Sequence, residues 1–199
     1  MENNSLLWKT SVNKAFYGYL TYTVLGGVVG AIVSLASGAA GVASLLSGGG
    51  GGSLLGPIIV NVLALAGFVY YYLGIKGMRD AAAGTQMEEG TANVYKGAML
   101  GLIGVIVKII PVVGFVGTII SIIGFIFMMM GFNKLRQLPL AGLAAKGAHQ
   151  LWLMMVLTLV GAVLGLIPVA GGVLKMICSL AALFYTFFGW KNFSNSELA

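Results

Sequence analysis

The sequence is short of charge. Five acids and eleven bases are spread over 199 residues, 8% charged in all, whereas a soluble domain carries about a quarter. So little polar surface cannot solvate a globule in water, and the solvent the chain is written for is lipid. The acids are Glu2, Asp80, Glu88, Glu89 and Glu197, and none lies inside an apolar run. Proton- or cation-coupled transport draws on intramembrane carboxylates, so their absence there argues against a pump. Glu88 and Glu89 are neighbours, which on a helix point in different directions, and read as a solvated pair rather than a catalytic one. The single histidine, His149, has no metal-ligand companion in sequence. The single cysteine, Cys178, can form no internal disulfide and reads as a small packing side chain within an apolar run. No nucleophile–base set, phosphate loop, haem motif or metal motif emerges. The expectation is a protein that is not an enzyme and takes no cofactor.

What is abundant is apolar. The chain is 59% hydrophobic with a mean hydropathy of +0.99, and it holds 31 glycines. Glycine is common in membrane helices because it lets backbones approach closely. The longest run is Gly97 to Phe132, interrupted by Lys108 and Pro111. It is too long for one span and long enough for two joined by a turn. Similar segments precede and follow it. The sequence predicts spans over 15–46, 54–75, 92–110, 112–132, 151–167 and 169–190, with polar connectors at 76–91 and 133–150. Residues 1–14 read as an interfacial foot. Lys9 and Lys14, an apolar run and SLASGAA imitate a signal peptide, but the run is read as a retained span. SGGGGGS, 47–53, is a flexible connector; it lacks the Lys-Ser/Thr of a P-loop.

The endings YYYLGIKGMR, FMMMGFNKLR and YTFFGWKNFS share a glycine, at Gly74, Gly131 and Gly189, spaced by 57 and 58 residues. Each hairpin also turns near a proline, Pro57, Pro111 or Pro168. A fixed period points to one supersecondary unit used three times. The predicted fold class is therefore an all-α integral membrane protein: six transmembrane helices in three tandem hairpins, approximately 15–75, 92–132 and 151–190, forming one membrane domain.

Six spans put both termini on one side. Nine of the eleven bases fall there, and only Lys108 and Lys175 fall opposite. That bias predicts cytoplasmic termini in a plasma or bacterial inner membrane. Trp8, Tyr70, Tyr71, Tyr72, Trp152 and Trp190 fall near the same ends and read as an aromatic belt. The opposite turns, SGGGGGS, IIPVVG and LIPVAGG, carry almost no polarity, so re-entrant hairpins are the alternative to full crossing. Bare turn backbone in lipid is costly, which favours crossing.

Three polar groups sit at membrane depth. Asn61 is read as an interhelical hydrogen-bonding group. Lys108 and Lys175 are read as snorkelling, or alternatively as contacts for an anionic solute or a lipid phosphate. Gly26 with Gly30, Gly97 with Gly101 and Gly161 with Gly165 are spaced as helix-packing pairs. Met128, Met129, Met130, Met154 and Met155 read as adaptable packing. The functional expectation is a structural or accessory subunit that packs into a larger membrane assembly or a homo-oligomer. Its partners would be the bilayer and other membrane subunits or itself, not nucleic acid. A small channel or transporter for an anionic or neutral solute, and a membrane-shaping hairpin protein, are the alternatives.

Overall fold

A computed structural model of the chain describes residues 2–25, 55–108, 110, 112–140, 142–168 and 170–196. Gly26, Gly30 and the 47–53 connector lie outside the described residues, as does the side chain of Asn61. Every regular element among the described residues is a helix. They are α1 (Glu2–Tyr22), α2 (Leu55–Ala81), α3 (Glu88–Lys108), α4 (Gly114–Gln137), α5 (Gly142–Leu164) and α6 (Gly171–Ser194). In lipid a helix satisfies its own backbone, which makes it the form these apolar runs adopt. Helices α3 to α6 are long and apolar enough to cross a membrane. At 21 to 24 residues they reach about 32 to 36 Å, against about 30 Å of hydrocarbon.

The polar connectors are shorter than the sequence suggests. Helix α1 begins at Glu2 and runs unbroken through the foot. Helix α2 continues to Ala81 and α3 starts at Glu88, so the 76–91 connector contracts to a turn at 82–87. Gly84 supplies the left-handed backbone this turn requires, with φ of 75°. Helix α4 likewise continues to Gln137. It stops because Pro139 forces Leu138 into an extended conformation, ψ 150°. Polarity alone does not break a helix; the Gly84 and Pro139 signals do.

Packing divides the chain into two units, residues 1–16 with 72–199, and residues 17–71. In the smaller unit α1 and α2 touch through their backbones. A Cβ on Gly18 would stand 2.7 Å from the Tyr71 Cα, and one on Gly67 would stand 2.8 Å from the Tyr22 nitrogen. Around these contacts the Tyr22 and Phe68 rings lie 4.9 Å apart, and those of Tyr19 and Tyr71 5.5 Å apart.

In the larger unit α3 packs on α4, α5 on α6, and α4 on α5. Residues 72–81 of α2 pack on the start of α1, where a Cβ on Gly74 would lie 2.7 Å from the Ala15 Cα. The core of this unit gathers at the polar-connector ends of the helices. Trp8, Val12, Ile75, Met78, Phe132, Leu135, Leu151, Trp190 and Phe193 are all fully buried there. At the other ends of the helices the apolar side chains are open, with Val112 84% and Leu166 81% exposed.

Candidate functional site

The longest run of close backbone approaches in the larger unit is the α3–α4 seam. Glycines recur every seventh residue on both helices: Gly90, Gly97 and Gly104 on one, Gly117, Gly124 and Gly131 on the other. Seven residues make almost two turns, so each set lies on one face. The helices run antiparallel, and the glycines meet in pairs. A Cβ on Gly97 would lie 2.5 Å from the Gly124 carbonyl oxygen. One on Gly117 would lie 2.6 Å from that of Gly104, and one on Gly131 2.7 Å from that of Gly90. Ser121, beside Gly104, donates to the Gly117 carbonyl at 2.8 Å. The α5–α6 seam is similar at one end, where a Cβ on Gly147 would lie 3.0 Å from the Gly189 carbonyl oxygen. Farther along, Gly161 faces the Cys178 side chain.

Of the glycine pairs read from sequence, Gly97 and Gly161 are buried on these seams, while Gly101 is half-buried and Gly165 exposed. The seven-residue series runs the length of the seam, and Gly101 joins it through its backbone nitrogen, 2.9 Å from a Cβ on Gly124. A four-residue spacing suits right-handed crossings. Near-antiparallel helices of a hairpin keep one face in contact through a seven-residue repeat.

Lys108 and Lys175 stand at the ends of the seams remote from the polar connectors, and both are exposed. The Lys108 stem crosses α4 at Gly117, where an added Cβ would lie 2.9 Å from its Cγ. The Lys175 stem passes Gly165, just beyond the end of α5, 3.0 Å by the same measure. Glycine makes room for each aliphatic stem, a packing compatible with a snorkelling lysine. The bonds described in the turns beside them are backbone to backbone. Val113 N–H donates to Ile110 at 3.2 Å, Val116 to Val113 at 2.9 Å, Ala170 to Pro168 at 2.8 Å and Gly171 to Ile167 at 2.9 Å. Neither Val113 nor Ala170 caps its helix with a side chain.

The polar end is built differently. Gly84 N–H donates to the Glu88 carboxylate at 2.8 Å, which also sets a negative charge at the start of α3. The Thr85 hydroxyl donates to the Ala82 carbonyl, and that of Thr91 to the Met87 carbonyl. Glu89 pairs instead with Lys134 of α4. The two neighbouring acids therefore serve different partners and form no joint site. Arg79 binds Asp80 at 2.6 Å and lies 4.2 Å above the Tyr95 ring, whose hydroxyl shares a 2.8 Å hydrogen bond with Tyr72. The hydrogen bond to Asp80 raises the Arg79 pKa, and the guanidinium stays charged. Asn192 of α6 donates to Gln150 of α5 at 2.6 Å.

Arg136 lies over Trp152 with its central carbon 3.5 Å from the ring centroid, and Nε donates to Asn133 at 2.9 Å. His149 tilts against the same indole, its ring 6.2 Å away. Cys178 is a free thiol, half-buried. No cluster of three metal-ligating side chains occurs among the described residues.

Part of the expected aromatic belt turns inward. Trp8 and Trp190 are fully buried and Tyr71 almost so. In the larger unit Trp8 meets Phe193 with ring centroids 5.5 Å apart, and Phe132 meets Trp190 at 6.1 Å. These rings form core at the polar end rather than a lipid-facing girdle. The spacing of Trp8, Val12 and Ala15, one face of a helix, is the signal in sequence that marks this. Trp152 and Tyr70 remain partly open or exposed. Comparison with protein-family profiles, with curated proteins and with solved structures gives no match.

Proposed function

We propose that the protein is a non-enzymatic multipass membrane protein, a structural or accessory subunit of a larger membrane assembly or homo-oligomer. It is built of six spans in three tandem hairpins, with both termini cytoplasmic. The observation that carries this reading is the sealed α3–α4 seam. Backbone meets backbone at Gly97 with Gly124 and at Gly104 with Gly117, where even a methyl group would collide. A seam this close leaves no room for a solute path and makes a stiff two-helix strut. The repeat draws support from the recurrence of close backbone contact at Gly74, Gly131 and Gly189. The ring contact of Trp8 with Phe193 supports termini on a common side.

The glycine faces are consumed within the hairpins, so assembly would use the outward stripes. On α4 these are Phe115, Ile119, Ile122 and Ile126, and on α6 Val173, Ile177, Leu180 and Phe184, all exposed. Purification in a mild detergent, followed by native mass spectrometry, tests the proposal. A stoichiometric partner or a defined oligomer is expected, and a monodisperse monomer without a partner would contradict it. The channel alternative is tested in the same preparation by anion flux into liposomes. No flux above protein-free vesicles is expected, and flux abolished by Lys108→Ala would favour the channel.

A further inference from the structure

We propose that the junction of α4 and α5 holds the phosphodiester of an anionic glycerophospholipid, with Arg136 as its ligand and Trp152 as the platform beneath. The cations at the polar end of the larger unit are not equivalent. Arg79 is bound to Asp80, and Lys134 to Glu89. Arg136 is held just as firmly but without a carboxylate among the described residues. Its central carbon sits 3.5 Å over the Trp152 ring centroid, and Nε donates to Asn133 at 2.9 Å. Those contacts use one face and one donor. The two terminal nitrogens remain, presented as a fork at a half-buried position in the last turn of α4. A fork of guanidinium donors matches two phosphate oxygens, which a lysine cannot do.

The setting selects the source of the phosphate. Trp152 is half-buried and belongs to a helix apolar enough to span a bilayer, and partly open indoles of this kind sit at headgroup depth. Basic niches between helices at that level receive anionic headgroups. Exposed His149 lies on the same helix, its ring 6.2 Å from the indole. The inference rests on α4 and α5 lying in a membrane and does not depend on the structural role proposed above.

The test uses the full chain in detergent, with phosphatidylglycerol, phosphatidylcholine or inorganic phosphate added before native mass spectrometry. Phosphatidylglycerol should be retained in preference to phosphatidylcholine. Arg136→Gln should lower that retention about tenfold, the scale of a charge-assisted bidentate contact. Arg136→Lys keeps the charge and loses the fork, and should fall between the two. Lys134→Gln, which removes a cation already paired with Glu89, should leave retention unchanged. Matching thermal unfolding of wild type and Arg136→Gln in phosphatidylcholine shows that the fold survives; if it does not, Arg136→Lys carries the comparison. Equal retention by wild type and the Arg136 variants overturns the assignment. So does displacement of the lipid by inorganic phosphate, which would make the site one for the free anion.

Discussion

Gly124 and Gly172 lie in neighbouring hairpins and present opposite surroundings. A Cβ on Gly124 would stand 2.8 Å from the Gly97 oxygen and 2.9 Å from the Gly101 nitrogen. Both obstacles are backbone, so α3 and α4 must part. Gly124→Ala should destabilise the protein by about 1–3 kcal/mol, the usual cost of overpacking. Around Gly172 nothing described lies within 4 Å. Gly172→Ala should be neutral or stabilising by up to about 1 kcal/mol, the helix propensity it gains. Unfolding in detergent followed by far-ultraviolet circular dichroism compares the two, and equal effects would remove the seam from the account. The importance of glycine is legible in the composition. The seven-residue register is also written in the sequence, at Gly90, Gly97, Gly104, Gly117, Gly124 and Gly131. It is masked by nearer four-residue pairs, and choosing between them needs the antiparallel partner. The stacking of Arg136 on Trp152 was not legible at all, because sixteen positions separate the two residues and a helix break intervenes.

At the scale of elements, the polar ends of the helices bind the larger unit. Trp8 is fully buried against Phe193, and its indole N–H has no hydrogen-bond partner among the described residues. The ring is therefore held by packing. Trp8→Ala should cost about 3–5 kcal/mol, as for other large core truncations. Trp8→Phe keeps most of the ring and removes a buried donor whose desolvation goes uncompensated. It should cost about 1 kcal/mol or less by volume-conserving standards. A phenylalanine variant as unstable as the alanine one would mean that the N–H does hold a partner. The sequence reads residues 1–14, 76–91 and 133–150 as foot and connectors because they are polar. Polarity reports depth in the bilayer, and helix continuation depends on backbone signals. That is why the helices run past their apolar spans and end where Gly84 and Pro139 intervene.

At the scale of the whole molecule, the larger unit is polarised along its helices. One end has side-chain caps, ion pairs and a buried aromatic core. The other has backbone-bonded turns clothed in Val112, Val113, Leu166 and Ile167, all exposed. A polar side chain is costly in hydrocarbon, and turns that satisfy themselves through backbone bonds suit a thin or apolar exit. Helix length is compatible with the proposed crossing. From Gly114 to Gly131, α4 covers about 27 Å at about 1.5 Å per residue, close to the hydrocarbon thickness of about 30 Å. In the proposed six-span arrangement, with Lys108 and Lys175 extending outward, the tips would reach the far interface. Cysteine labelling in intact cells tests this most directly. In a Cys178→Ser background, Val112→Cys and Leu166→Cys should react with a membrane-impermeant maleimide from outside. Gln86→Cys, in the turn between α2 and α3, should react only after permeabilisation. If Val112→Cys and Leu166→Cys stay unlabelled before and after permeabilisation, the tips end within the bilayer and the six-span account is wrong.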